Sequence, residues 1–127
     1  MHPDLPRPKR GAMFYQDRYL YATLANFPIT KGHVVVVWKK KVRDLHLLRQ
    51  KEYEYLMNVV DRVRNALLLV LKVRKVYLIY MDEAKHVHWH LVPRYNEKGF
   101  NVLLEKPQKL KEVKIAGKLK RLLSAQH

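Results

Sequence analysis

The spacing of apolar residues along the chain changes twice, and each change predicts a different kind of element. The first part carries three short β-prone stretches at residues 13–16, 19–24 and 33–38, and the third contains four consecutive valines. A run of valines is typical of a central strand that is buried on both faces. From residue 44 to 72 the apolar residues instead recur every three or four positions, which predicts one long amphipathic helix with Asp44 as its N-cap.

The second part returns to the strand pattern before it ends in a basic amphipathic segment. Residues 73–81 and 86–95 predict two strands, and the short connection between them predicts an antiparallel hairpin. Residues 107–124 predict a C-terminal helix. The expected fold class is therefore α+β, an antiparallel β-sheet with one long helix packed across it and a C-terminal helix.

Length and composition limit the possible classes of protein. The 127 residues, 48% of them hydrophobic, are enough for a single domain at residues 13–127, behind a flexible, proline-rich lead-in at residues 1–12. The absence of Cys excludes disulfides and thiolate metal sites, and it is compatible with the cytoplasm, where we expect the protein. The apolar runs are too short to span a bilayer, so no membrane partner is expected.

The net charge of +15 indicates an affinity for anions. A surface this basic attracts nucleic acid and phosphorylated small molecules, so nucleic acid is a possible partner. A general bias toward Lys and Arg would produce the same charge. The charge alone therefore does not identify the ligand.

Three of the seven histidines alternate with apolar residues at His86, His88 and His90. Alternate residues of a strand share one face and lie roughly 6.5–7 Å apart, so the three imidazoles are expected to form a ladder. Val87 and Trp89 then point to the other face, toward the core. Imidazole has a pKa near neutrality, so such a ladder can attack an electrophile, transfer protons or bind a metal.

Three interpretations of the ladder follow from the residues alone. The histidines could simply decorate a half-exposed strand. They could bind zinc or copper, with His33 completing the ligand set. In the third interpretation they act at phosphorus, with His88 as the nucleophile and a flanking histidine protonating the leaving atom. Only the third also accounts for the basic charge, because positive charge stabilises the phosphate oxygens.

Two motifs in sequence order identify a family. The stretch His86-Val-His-Trp-His-Leu-Val92 has the form His-φ-His-φ-His-φ-φ, where φ is apolar, and residues 27–37 read Phe-Pro-Ile-Thr-Lys-Gly-His-Val-Val-Val-Val. With the long helix between them, the chain resembles the histidine triad (HIT) superfamily over residues 14–95. The resemblance implies a homodimeric nucleotide hydrolase or transferase that cleaves a nucleoside-5′-phosphoryl bond. Nucleoside phosphoramidates, dinucleoside polyphosphates and adenylylated compounds are the implied substrates.

The resemblance also implies a role for each histidine. His88 falls on the family's nucleophile, which forms a covalent nucleotidyl intermediate. His90 falls beside the scissile phosphate and the leaving group. His86 orients the nucleophile through its backbone carbonyl, and His33 matches a fourth histidine that packs beside the triad. The implied chemistry requires no metal at the nucleophile, and the only cofactor implied is Mg²⁺ carried by a polyphosphate substrate.

The residues that would bind the nucleotide depart from the family pattern. The ribose-binding acid or amide is replaced by Ala25, and Asn26 is the nearest candidate. The polar turn before the triad is short, so Lys85 is the candidate phosphate contact there. An apolar slot for the base, or ordinary core, is expected from four further residues, namely Phe14, Leu24, Phe27 and Val35.

Two other functions remain open on the sequence. The charge permits removal of adenylate from nucleic-acid ends. A binding protein that keeps the fold could instead sense a nucleotide or RNA without catalysis, although a pure binder has no need of a nucleophile at His88.

Overall fold

The computed structural model describes residues 5–81 and 84–125, which form one antiparallel sheet with two helices. The sheet has the strand order β1-β2-β3-β5-β4, and every neighbouring pair is antiparallel. The α+β fold predicted from the sequence is therefore confirmed. The elements in chain order are β1 (Met13–Gln16), β2 (Leu20–Leu24), β3 (Val34–Trp38), α1 (Gln50–Leu71), β4 (Lys75–Tyr80), β5 (His88–Arg94) and α2 (Lys114–Ala125).

The valine run forms the central strand β3, as predicted, and it divides the sheet into two different faces. Val34 and Val36 are fully buried in the core that the helices cover. The alternate residues Val35 and Val37 point to the other face, because side chains along a strand alternate. Val35 pairs with His90 and Val37 pairs with His88, so the open face of the sheet carries these two histidines.

The helix α1 supplies the main apolar layer of the core. Its buried stripe consists of Leu56, Val59, Val60, Val63, Ala66 and Leu67. The prediction that Asp44 caps this helix is wrong. Asp44 accepts a hydrogen bond from the backbone N–H of His46 and caps a separate 3₁₀ turn at Leu45–Leu47. The helix begins later because the carboxylate of Glu52 accepts from the backbone N–H of Arg49, which stabilises a new start.

The C-terminal helix is shorter than the sequence predicted. The helix α2 begins at Lys114 rather than at residue 107, although it continues through Gly117 to Ala125. The backbone N–H groups of Gln108 and Leu110 donate to the carbonyls of Pro28 and Asn26, at 3.1 and 2.7 Å. Because these amides bond to a distant loop, residues 108–110 stay extended and the helix starts after them.

The N-terminal segment also packs on the domain. Residues 5–12 were predicted to belong to a flexible lead-in, but the side chain of Asn26 hydrogen-bonds to the backbone of Arg7 and Lys9. The sequence had no signal for these contacts, because they join residues 17 and 19 positions apart. Residues 1–4 of the predicted lead-in lie outside the described residues. In the part of the chain that the structure describes, no helix is long and apolar enough to cross a membrane.

Candidate active site

His88 is held by a backbone carbonyl two residues before it. Its Nδ1 lies 2.7 Å from the carbonyl oxygen of His86, so Nδ1 carries the proton and donates it. The unprotonated Nε2 of His88 then has a free lone pair on the open face of the sheet. His88 is buried, with 6% of its surface exposed, so this geometry is maintained by the surrounding chain.

His86 lies just before β5, which begins at His88, and its ring bonds to the backbone of β3. The Nε2 of His86 donates to the carbonyl oxygen of Trp38 at 2.5 Å. The N–H of Val87 donates to the carbonyl of Val42, and the carbonyl of Val87 accepts from the N–H of Trp38, which holds this stretch between two other segments.

His33 and His90 form a direct contact between the two sequence motifs. The Nε2 of His33 lies 3.0 Å from the Nδ1 of His90, and the backbone N–H of Ile29 donates to the Nδ1 of His33 at 3.2 Å. Since Nδ1 of His33 accepts, its proton is on Nε2 and is donated to His90. His90 in turn must carry its own proton on Nε2. The chain of bonds therefore presents an N–H of His90 on the open face.

The adjacent rings of His88 and His90 offer complementary groups, a lone pair and an N–H. Their ring centroids are 5.0 Å apart and their planes are nearly perpendicular, at 73°. The first ring offers a lone pair and the second offers an N–H. This combination can attack an electrophilic atom while a hydrogen bond stabilises the charge that develops beside it.

Burial keeps the rings of His33 and His90 neutral at physiological pH. Burial and then the nearby His90 lower the pKa of His33 to about 3. Burial and then the nearby His88 lower the pKa of His90 to about 4. Both values lie far below 7, so the neutral forms that the hydrogen bonds require are the populated ones.

A cavity of about 210 Å³ opens beside these rings and is lined mainly by apolar side chains. His33, His88 and His90 are among its lining residues. Leu24, Asn26, Phe27 and Val35, which the sequence analysis proposed for nucleotide binding, also line it. The remaining lining residues are Leu5, Pro6, Pro8, Tyr21, Thr23, Ala25 and Val37.

Two proposed nucleotide contacts lie elsewhere. Phe14 is buried in the core on β1 and lines a different cavity, against Lys120 and Leu123 of α2. Lys85 is exposed in the turn before β5, with a positive φ of 52°, and it is outside the cavity lining. Residues 82 and 83 of that turn lie outside the described residues.

Sequence reasoning missed two groups of lining residues. Tyr21 and Thr23 pair with Val37 and Val35 across β2 and β3, so strand register places them on the histidine face. The alternation along residues 19–24 could have indicated this face. Leu5 and Pro8 had no local signal, because their position depends on contacts with the distant loop at Asn26.

The metal-binding interpretation requires several ligating side chains around one point. Within residues 5–81 and 84–125, no group of three or more His, Cys, Asp or Glu side chains is arranged to hold a metal ion. The Nδ1 atoms of His33, His88 and His90 are engaged in hydrogen bonds to the protein.

The arrangement of the motifs matches a known family. A family model described as the HIT domain matches residues 8–97, which is well over half of the chain. The chain belongs to the histidine triad (HIT) superfamily. An uncharacterized HIT-like protein of Mycoplasma genitalium is 28% identical over 101 residues, which cover 74% of this chain and 72% of that protein.

Solved HIT structures share the fold. A histidine triad protein of Marinobacter aquaeolei superposes with a TM-score of 0.75 at 16% identity, over 91% of this chain and 90% of that one. Diadenosine triphosphate hydrolase of Plasmodium falciparum, in complex with cyclomarin A, superposes with a TM-score of 0.70 at 18% identity, over 93% and 80% of the two chains. The five-stranded sheet described above is thus the HIT fold.

Proposed function

We propose that this HIT protein is a nucleotide hydrolase or transferase that works through a covalent nucleotidyl intermediate on His88. The observation that carries the proposal is the 2.7 Å contact between Nδ1 of His88 and the carbonyl oxygen of His86. This contact holds the ring in the tautomer whose Nε2 can attack phosphorus.

In the first step, Nε2 of His88 attacks the phosphorus of a nucleoside-5′-phosphoryl group, and the bond to the leaving atom breaks. The new P–N bond gives a cationic phosphoimidazole, and the leaving atom departs with the bonding electron pair. His90 hydrogen-bonds this atom through Nε2–H. The negative charge of the bound phosphate favours uptake of one proton from solvent by the hydrogen-bonded pair of His33 and His90, which is neutral in the free protein. His90 then gives the proton on its Nε2 to the leaving atom, and the pair returns to the neutral state.

In the second step, water replaces the leaving group. Neutral His90 takes a proton from the water, whose oxygen attacks phosphorus, and the P–N bond breaks to return the electron pair to His88. The product is a nucleoside monophosphate. Transfer to phosphate or another acceptor follows the same path with that acceptor in place of water.

The apolar lining of the cavity supports a nucleoside as the part of the substrate that stays bound after the leaving group departs. The cavity's apolar lining at Phe27 and Val35 can contact a base, and His88 in the same lining would face the 5′-phosphate. The exposed Lys85 is proposed to contact phosphates outside the cavity. The Plasmodium relative of the fold is a diadenosine triphosphate hydrolase, which makes dinucleoside polyphosphates one substrate class to test.

A second candidate substrate is an adenylylated nucleic-acid end, because the net charge of +15 favours polyanions. A homodimer, a cytoplasmic location and Mg²⁺ delivered with a polyphosphate substrate stay predictions from the sequence.

The test is release of nucleoside monophosphate by the wild type and by His88→Ala. The panel contains an adenosine phosphoramidate, diadenosine tri- and tetraphosphate and a 5′-adenylylated oligonucleotide. His46→Ala is the matched control, because His46 is exposed on a 3₁₀ turn remote in sequence from both motifs. We expect turnover and a mass adduct of one nucleotidyl group on quenched wild type and His46→Ala, and neither on His88→Ala. Turnover that survives in His88→Ala would exclude the covalent mechanism. Nucleotide binding without turnover by the wild type would favour a binding module.

A further inference from the structure

Asn26 connects two segments that are far from it in sequence. Its Oδ1 accepts a hydrogen bond from the backbone N–H of Lys9 at 3.0 Å, and its Nδ2 donates to the carbonyl oxygen of Arg7 at 2.7 Å. The amide side chain thus accepts one hydrogen bond from the N-terminal backbone and donates one to it, as the backbone of a neighbouring strand would. Both polar ends of the side chain are used by the N-terminal segment.

The same residue also binds the segment before α2. The backbone carbonyl of Asn26 accepts from the N–H of Leu110 at 2.7 Å. The Nζ of Lys9 donates to the carbonyl of Leu110 at 2.9 Å, which closes a triangle among Lys9, Asn26 and Leu110. Two chain segments therefore meet at one asparagine on the loop that leads to His33.

The N-terminal segment held in this way forms a wall of the active-site cavity. Leu5, Pro6 and Pro8 line the cavity together with His88 and His90. Proline restricts φ and provides no N–H, so this stretch makes few backbone hydrogen bonds of its own. The position of the wall consequently depends on the bonds that Asn26 makes with Arg7 and Lys9.

We infer that Asn26 is a positioning residue that shapes the nucleoside pocket by holding the wall formed by Leu5, Pro6 and Pro8. Its side-chain amide acts through the N-terminal segment and makes no contact with the ribose. The inference rests on the proposed function, since it assigns the cavity to the nucleoside. It differs from the sequence-based expectation, in which Asn26 itself bound the nucleotide.

Three substitutions at two positions separate this role from direct ligand contact. Asn26→Ala removes both hydrogen bonds to the N-terminal segment. Asn26→Asp keeps an acceptor for the N–H of Lys9 but places a carboxylate against the carbonyl of Arg7. Leu5→Ser weakens the apolar wall and leaves Asn26 intact. Asn58→Ala and Leu104→Ser are the matched controls, because Asn58 is exposed on α1 and Leu104 is 74% exposed.

The first measurement is hydrogen exchange of the backbone amides of residues 5–12 by mass spectrometry, with no ligand present. In Asn26→Ala these amides should exchange about 5- to 20-fold faster than in the wild type, as expected for the loss of one or two ordinary hydrogen bonds. Asn26→Asp should lie between, and Asn58→Ala should match the wild type. Unchanged exchange in Asn26→Ala would overturn the inference whatever the enzyme does.

The second measurement is the affinity for AMP and GMP by calorimetry, with KM and kcat on the preferred substrate. Asn26→Ala and Leu5→Ser should both raise Kd and KM by about 5- to 20-fold, while kcat changes less than twofold. Leu5→Ser is the decisive variant, since a ribose contact by Asn26 would leave it at the wild-type KM. A KM unchanged in Leu5→Ser would overturn the inference.

The measurements distinguish failure of the proposed function from failure of the inference about Asn26. If the wild type binds AMP without turnover, the proposed enzymatic activity is refuted, and the Kd values still test the positioning role of Asn26. If the wild type turns over substrate and Asn26→Ala leaves KM unchanged, only the positioning role is refuted. A wild type that neither binds AMP or GMP nor turns over any substrate refutes both.

Discussion

The Nε2 atom of His33 lies 3.0 Å from the Nδ1 atom of His90, although the two residues are 57 positions apart in the chain. This contact joins the Gly-His segment to the histidine strand. It also determines which nitrogen of each ring carries a proton. The site therefore depends on two neutral imidazoles, one buried and one partly buried, that share one hydrogen bond.

The first prediction concerns stability in acid. The pKa values of His33 and His90, about 3 and 4 in the folded protein, lie below the value near 6.5 of an unfolded histidine. Between about pH 4 and 6.5 the unfolded chain binds more protons, so the free energy of unfolding falls as the pH falls. We expect a loss on the order of 2–4 kcal/mol between pH 7 and pH 5.

Urea unfolding at pH 7, 6 and 5 measures this loss. The double variant His33→Gln/His90→Gln should lose much less over the same range, whereas the exposed-site control His46→Gln should behave like the wild type. Equal losses in the double variant and the wild type would show that folding does not lower the pKa values of these two rings.

The second prediction concerns the proton given to the leaving group. Substitution of His90 by Gln keeps an N–H donor but removes the proton transfer. With a poor leaving group, kcat should fall by about 10²- to 10⁴-fold, the usual range for general acid catalysis. With a p-nitrophenyl ester of a nucleotide the loss should be far smaller, because nitrophenolate leaves without a proton. A loss that is independent of the leaving group would assign His90 a purely structural role.

The third prediction concerns Gly32, which precedes His33. Gly32 has a φ of +85°, and a Cβ at this position would overlap the Cδ1 atom of Leu71 at the end of α1. Gly32→Ala should therefore destabilise the protein by about 1–3 kcal/mol and lower activity by displacing His33.

Gly117→Ala is the matched control for this substitution. Gly117 lies inside α2, and a Cβ there would meet only the flexible end of Arg121, at 3.7 Å. It should stabilise the protein by about 0.5–1 kcal/mol, since Ala favours a helix over Gly. Thermal unfolding of both variants checks the two signs, and a neutral Gly32→Ala would contradict the close contact with Leu71.

The fourth prediction concerns salt. With a net charge of +15, the protein should capture anionic substrates faster at low ionic strength. We expect kcat/KM for diadenosine tetraphosphate to fall by about 10-fold between 0.02 and 0.5 M NaCl, because salt screens the attraction between the basic protein and the anionic substrate. The fall should be smaller for a phosphoramidate with a single negative charge, and kcat should change little. Identical salt slopes for the two substrates would argue against electrostatic capture.

The local elements of this fold were accessible from the sequence. The valine run predicted the central strand, and the apolar spacing across Leu56, Val60 and Val63 predicted the long helix, because strand and helix periods are local properties of the chain. The histidine motif identified His88 and His90 for the same reason, since alternation along one strand places them on one face.

The tertiary structure alone decided how those residues can act. The ring of His86 bonds to the carbonyl of Trp38, Asp44 caps a 3₁₀ turn instead of α1, and the wall of the cavity comes from residues 5–8. Each outcome rests on a hydrogen bond or packing contact between distant parts of the chain, or on competition between neighbouring caps. The periodicity of the sequence indicates on which face of an element a side chain lies. The residue that it contacts there depends on how distant segments of the chain pack together.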